Sequence, residues 1–224
     1  MQEKNITRIT VGDIATNCWI CPLTDSVKGA DCAIIDPGAE ADKIISFLKQ
    51  HDYFPKYILL THGHFDHIAA LPEIFAAYKK TDNALKIAIH RLDSQYLGPA
   101  SYNVHLTSFS AVMINTNYID HYWNDMPSPD LLPEEGDTIG PFTVLHLPGH
   151  TGGSVAYWDK QANLLFSGDT LFRGNYGRTD LPGGNQNEIV KSLMRLFTMD
   201  SGIKVFPGHG PSTTIGAEAR LGMV

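Results

Sequence analysis

The stretch that most constrains this chain is Thr61-His62-Gly63-His64-Phe65-Asp66-His67, which follows directly on the apolar run Tyr57 to Leu60. Neutral imidazoles and carboxylates are the ligands that borderline divalent ions such as zinc take, at about 2.0–2.2 Å. His62 and His64 stand two residues apart, so in extended backbone both point to one side. Asp66 and His67 are adjacent at a turn into a helix, and they project toward a neighbouring point rather than the same one. One tetrahedral ion does not need four ligand-type residues from so short a segment. A fold that uses them all must carry other ligand loops to the same rim.

Three such loops occur later. His150 lies in Leu147-Pro148-Gly149-His150-Thr151-Gly152-Gly153, Asp169 in Ser167-Gly168-Asp169-Thr170, and His209 in Phe206-Pro207-Gly208-His209-Gly210. Each follows a run that reads as a strand, and each is flanked by glycine or proline. Strand ends are rigid supports, and glycine lets the backbone turn sharply close to an ion. His51, His90, His105, His121 and His146 lack this context and read as surface or hydrogen-bonded core residues.

Hydrophobic periodicity supplies the frame. Ile6 to Val11, Cys18 to Leu23, Asp31 to Asp36, Tyr57 to Leu60 and Lys86 to Ile89 read as strands in the first half. Phe142 to Leu147, Ser154 to Trp158, Leu164 to Ser167 and Ile203 to Phe206 read as strands in the second. Helical spacing marks Ala41 to His51, with Pro55 as the exit, then the run holding Leu71, Ile74, Phe75 and Tyr78, and the run from Ile189 to Phe197. The chain therefore reads as one α/β domain over residues 1–224, with two packed sheets and helices outside. Residues 101–133 show no clean period but hold Tyr102, Phe109, Tyr118, Tyr122 and Trp123. They read either as a lid near the site or as a loop that covers the core. A short tail closes the chain.

Composition excludes several classes of function. Seventeen basic residues against 24 acidic ones give a formal charge of −7, which disfavours nucleic acid as a partner. No apolar run approaches the roughly 20 residues of a membrane helix, and the first residues lack the order of a signal peptide, so no membrane partner and a cytoplasmic location are expected. Cys18 and Cys21 form a C-x-x-C, but they sit in an apolar strand with no second pair, which favours a structural role.

The run His62, His64, Asp66, His67 matches the H-x-H-x-D-H signature of the metallo-β-lactamase superfamily, and the later loops follow in that family's order. The resemblance implies a four-layer αββα sandwich of two mixed sheets with helices on the outer faces and the metal centre at one edge. It implies two divalent ions, zinc foremost, with iron or manganese as alternatives. His62, His64 and His150 would hold one ion, Asp66, His67 and His209 the other, and Asp169 would bridge them. Such a pair supports a bridging hydroxide as nucleophile, with Asp66 as the catalytic carboxylate that handles its proton. Two divalent ions, two carboxylates and a hydroxide leave a small positive charge, which favours a small anionic acyl substrate.

Gly177-Arg178-Thr179-Asp180-Leu181-Pro182-Gly183-Gly184 and Phe206-Pro207-Gly208-His209-Gly210-Pro211 are similar to motifs of the glyoxalase II-like group. That likeness implies hydrolysis of a thioester of the hydroxyacylglutathione type and a glutathione thioester as partner. It nominates Arg178, Tyr176 and Asn175 as substrate contacts. Arg178 either binds a substrate carboxylate or pairs with Asp180 to hold the loop. Only Thr214 to Val224 follow the last ligand motif, too few for the helical C-terminal domain with which glyoxalase II binds glutathione. A persulfide dioxygenase, with one iron on His62, His150 and Asp169, is the alternative chemistry, and lactone or other acyl hydrolysis is a further one. A retired metal-binding scaffold would have lost ligands, and none is missing.

Overall fold

The computed structural model describes residues 4–24, 29–79, 85–110 and 117–224. Its first sheet has the order β1 (Thr7–Val11), β2 (Thr16–Pro22), β3 (Asp31–Ile35), β4 (Phe54–Leu59) and β5 (Lys86–Ala88). The β1–β2 and β2–β3 pairs are antiparallel, and β3–β4 and β4–β5 are parallel. Helix α1 (Ala41–Gln50) makes the crossover from β3 to β4, and α2 (Phe65–Ile68) and α3 (Leu71–Tyr78) lie between β4 and β5. A 3-10 helix (Arg91–Tyr96), α4 (Tyr102–Ser110) and α5 (Asn117–Tyr122) then lead to the second half. The aromatic segment 101–133 thus contains two helices, and its residues 111–116 lie outside the described residues.

The second sheet is built from β6 (Thr138–Ile139), β7 (Phe142–His146), β8 (Val155–Asp159) and β9 (Leu164–Gly168). A small ribbon, β10 (Leu171–Phe172) with β11 (Asn175–Tyr176), precedes α6 (Gln186–Phe197). Strands β12 (Lys204–Pro207) and β13 (Thr213–Thr214) complete the sheet in the order β13-β12-β9-β8-β7-β6, and α7 (Ile215–Ala219) follows. Only the β12–β9 pair in it is parallel. The closing segment therefore adds a strand and a short helix, where the sequence suggested only a tail.

Three apolar layers hold these parts together, as side chains alternate across each strand. Trp19, Cys21, Ala33, Ile35 and Leu59 of the first sheet meet Phe142, Val144, Tyr157 and Phe166 of the second. The first sheet's other face, with Cys18, Ile20, Ile34 and Ile58, is covered by Ile44 and Leu48 of α1 and Ile74 of α3. The second sheet's outer face, with Leu145, Leu165 and Val205, is covered by Ile189, Leu193 and Leu196 of α6. Each buried aliphatic side chain contributes about 1.5–3 kcal/mol. Asn185 begins α6 by accepting hydrogen bonds from the amides of Asn187 and Glu188. This is the expected αββα sandwich of two mixed sheets.

Two local readings meet the coordinates differently. Cys18 and Cys21 fall on opposite faces of β2, in different layers, so they share no site; all three cysteines are free and buried. Pro55 does not end anything: β4 begins at Phe54 and runs through it. Pro55 pairs with Cys32 and Tyr57 with Ala33, so Lys56 is the extra residue of a bulge in β4 directly after the proline.

Candidate metal centre

Asp36 and the His62–His64 loop follow β3 and β4, a parallel pair in the first sheet, and Asp169 and His209 follow β9 and β12, a parallel pair in the second. The loop holding His150 follows β7, which is antiparallel to β8 as β8 is to β9, so it opens at the same rim. Asp66 and His67 ride on α2, whose first turn starts at that rim. Besides Asp36 with His62 and His67, two sets of possible ligands converge there, His62, His64 and His150, and Asp66, His67 and His209, each with ligand atoms within 4.8 Å of one another. Asp169 stands between them. Its Oδ2 is 3.6 Å from His150 Nε2 and 3.5 Å from His209 Nε2, and its Oδ1 is 3.3 Å from His67 Nε2.

Polar atoms inside this cluster lack the partners that burial demands. His62 Nε2, His64 Nε2 and Asp169 Oδ1 are buried without a hydrogen bond. His64 Nδ1 and His150 Nε2 face each other at 2.9 Å, and the Nε2 atoms of His67 and His209 at 3.3 Å. His150 already donates from Nδ1 to the carbonyl of Arg178, so its Nε2 presents a lone pair. Ring nitrogens in such pairs must share a proton or a cation. The donor set of imidazole and carboxylate fits divalent metal ions.

The charges divide in the same way. Burial drives His62 well below its ordinary value and brings His64 down to about 3, so both rings are neutral. Burial also works against a proton on His67, yet Asp169 and Asp66 raise it well above the ordinary histidine range. His209 is raised too, with burial opposed by its hydrogen bond to Asp66 and the charge of Asp169. Burial favours neutral carboxyls here, but His67 and its neighbours hold Asp66 well below the usual range and Asp169 at about 2. Neutral His62 and His64 thus adjoin two charged carboxylates, Asp66 and Asp169, that favour protons on His67 and His209.

Several supports escape a search for ligand types. Asp36 accepts from the amide and hydroxyl of Thr61 and from His67 Nδ1. Its sequence, Asp36-Pro37-Gly38 after a strand, is the same signal that marks the other loops. Asp93, in the 3-10 helix, accepts from the amides of Gly63 and Gly153 and the hydroxyl of Thr151, and so ties the His62 and His150 loops together. No local motif announces it. Asn17 and Trp19 of β2 donate to the carbonyl of Pro207, which fixes the His209 loop, and Thr16 donates to Asp66 at 3.0 Å.

A cavity of about 260 Å³ opens over the cluster, lined by Asp66, Asp169 and His209 together with Ile14, Phe65 and Leu181. Arg178 also lines it, with its guanidinium engaged by both oxygens of Asp180 at 2.7 and 2.6 Å. Asn175 and Tyr176 sit on β11, where the Tyr176 hydroxyl accepts from Gln186. His105 is hydrogen-bonded core, as expected, donating to the carbonyl of Tyr96, and it lines the same cavity.

Comparison with known proteins bears on this geometry. The family model described as the metallo-beta-lactamase superfamily matches residues 16–209. The hydroxyacylglutathione hydrolase GloC of Haemophilus influenzae is 33% identical over 217 residues, spanning 96% of this chain and 95% of its own. The BLEG-1 B3 metallo-beta-lactamase superposes with a TM-score of 0.81 at 32% identity, covering 96% of each chain. TTHA1623, solved in a di-iron-bound form, superposes with a TM-score of 0.76 at 34% identity, covering 96% of this chain and 97% of its own.

Proposed function

Because the chain belongs to the metallo-β-lactamase superfamily, we propose that it is a dinuclear metallohydrolase that cleaves small acyl thioesters of the hydroxyacylglutathione type. The observation that carries this reading is Asp169, whose two oxygens reach toward imidazoles of both ligand sets. A carboxylate can span two ions with its two oxygens. His62, His64 and His150 would hold one ion and Asp66, His67 and His209 the second. A pair of divalent ions held there, zinc or iron, would supply Lewis acidity toward water and an acyl carbonyl at neutral pH.

The chain's own groups supply the rest. Asp66, held by Thr16 and kept charged, is placed to accept the proton of the attacking water. Water oxygen joins the acyl carbon, the carbon–sulfur bond breaks, and sulfur leaves as a thiolate, a good leaving group that needs little acid assistance. His150 is oriented by the Arg178 carbonyl and His67 by Asp36, so neither ring must reorganise during turnover. Apolar Ile14, Phe65 and Leu181 keep the cavity partly dry, which strengthens each charge inside it.

The likeness to GloC supports a glutathione thioester as one substrate. The test pairs metal content by mass spectrometry, on protein purified without added metal, with an S-lactoylglutathione assay. Two ions per chain with hydrolysis uphold the reading. One iron per chain with sulfite formed from glutathione persulfide replaces it with the oxygenase, and β-lactam turnover without thioester turnover replaces it with a lactamase.

A further inference from the structure

We propose that the groove beside the metal cavity seats the departing thiol of the substrate, and that it reads an uncharged, amide-bearing chain rather than the charges at its ends. The inference rests on the thioester hydrolase reading above and assigns its second half-site.

The cavity over the ligands is small, about 260 Å³, and part of that space belongs to the reacting atoms. A wider groove of about 600 Å³ runs on from it between the 3-10 helix, α4 and two loops. The two spaces share a border. Ser108 lines both, Leu181 lines the cavity and Pro182 and Gly183 the groove, and His150 lines the cavity while Thr151 and Gly152 line the groove. A thioester whose carbonyl lies over the ligands therefore has a tight side for a short acyl group. The longer half must leave through the groove.

The lining of the groove is neutral. Gln95 and Asn103 bring side-chain amides, Thr107 a hydroxyl that donates to the carbonyl of Asn103, and Leu92, 49% exposed, an apolar face. Among the described residues no lysine or arginine lines it. Its one carboxylate, Asp93, is buried and committed to Gly63, Thr151 and Gly153. The cations nearest by sequence are Arg91, which directly precedes Leu92 and pairs with Glu134 at 3.0 Å, and Arg178, which is engaged by Asp180. Terminal carboxylates of a thiol find no opposite charge here, whereas the amides along its chain meet matching donors and acceptors.

The experiment compares two thioesters that share the lactoyl group, one on glutathione and one on uncharged N-acetylcysteamine. The metal-loaded chain is expected to show kcat/KM values within about tenfold of each other, since no ion pair separates them. Asn103→Trp, on the exposed face of α4, should raise KM for both esters by about tenfold or more, with metal content unchanged, because it fills the groove. Thr107→Lys should tilt the ratio toward the glutathione ester by about fivefold, and added salt should erase that tilt. A glutathione ester preferred by more than about a hundredfold in the parent chain would overturn the inference, since binding on that scale needs charge readout. So would a KM that ignores Asn103→Trp. Turnover of both esters with either of those outcomes sinks the groove assignment alone, whereas turnover of neither sinks the hydrolase reading with it.

Discussion

Asp36 Oδ2 lies 3.0 Å from His67 Nδ1, and both side chains are fully out of solvent. The same carboxylate takes the amide and hydroxyl of Thr61, one residue before His62. One residue at the end of β3 thus sets the ring angle of His67 and the start of the His62–His64 loop. It does so from a left-handed backbone, φ 52°, which asparagine also tolerates.

Asp36→Asn consequently removes the charge while keeping size and backbone. An amide nitrogen then faces Thr61 or His67 where an acceptor is needed. Metal affinity at the His67 set should fall about 10–100-fold, and less at the His62 set. Competition with a chromophoric chelator measures both. Parent-like affinity at both sets would remove Asp36 from the support of the site.

Gly208 and Gly210 flank His209 and separate two demands on glycine. A Cβ at Gly208 would run into Asp169 Oδ1 and come within 2.6 Å of His67 Cε1. Gly210 has open space around it but a φ of +74°. Gly208→Ala should therefore lose the second ion and turnover together. Gly210→Ala should cost about 1 kcal/mol of stability and keep both ions. Equal metal content in the two variants would contradict this placement of the Gly208 loop.

The contrast between ligands and supports explains what was legible in the sequence. His62, His64, His150 and His209 stand out because residue type, strand end and glycine coincide locally. The strands were readable because their alternating faces fill three apolar layers. Asp93 was not, because its partners are backbone amides and a hydroxyl 30 to 60 residues away. Asn17 and Trp19 stayed hidden for the same reason, gripping a carbonyl some 190 residues later. Pro55 misled because the bulge beside it, at Lys56, arises only from the pairing of β4 with β3.

Loading of the ions should depend on pH in a set-specific way. Without metal, His67 is raised well above the ordinary histidine range, against its burial, by Asp169 and Asp66. An ion entering that set displaces its proton, so affinity falls as pH falls, by up to about tenfold per unit for each proton released. Burial lowers His62 and leaves His64 at about 3, so these rings carry no proton to displace near neutrality. Titrating apo protein with zinc at pH 6 and pH 8 should move the step that fills the Asp66, His67 and His209 set far more than the other. Two steps that shift in parallel would show that protons are not partitioned between the sets in this way.

Arg178 has a double part that substitution can separate. Its carbonyl fixes His150, a task any residue performs, while its guanidinium makes a two-pronged contact with Asp180 beside the cavity that the residue lines. Both side chains are more than half exposed, so the pair holds the loop only weakly against solvent. Asp180→Asn releases the guanidinium without moving the carbonyl. If the freed charge meets an anionic acyl group, kcat/KM for such a substrate should rise about threefold, and the rise should vanish in high salt. A neutral acyl analogue serves as the internal comparison and should respond little. A fall in kcat/KM for both substrates, with metal content intact, would show instead that the pair's function is to hold the Gly177–Gly184 turn against His150.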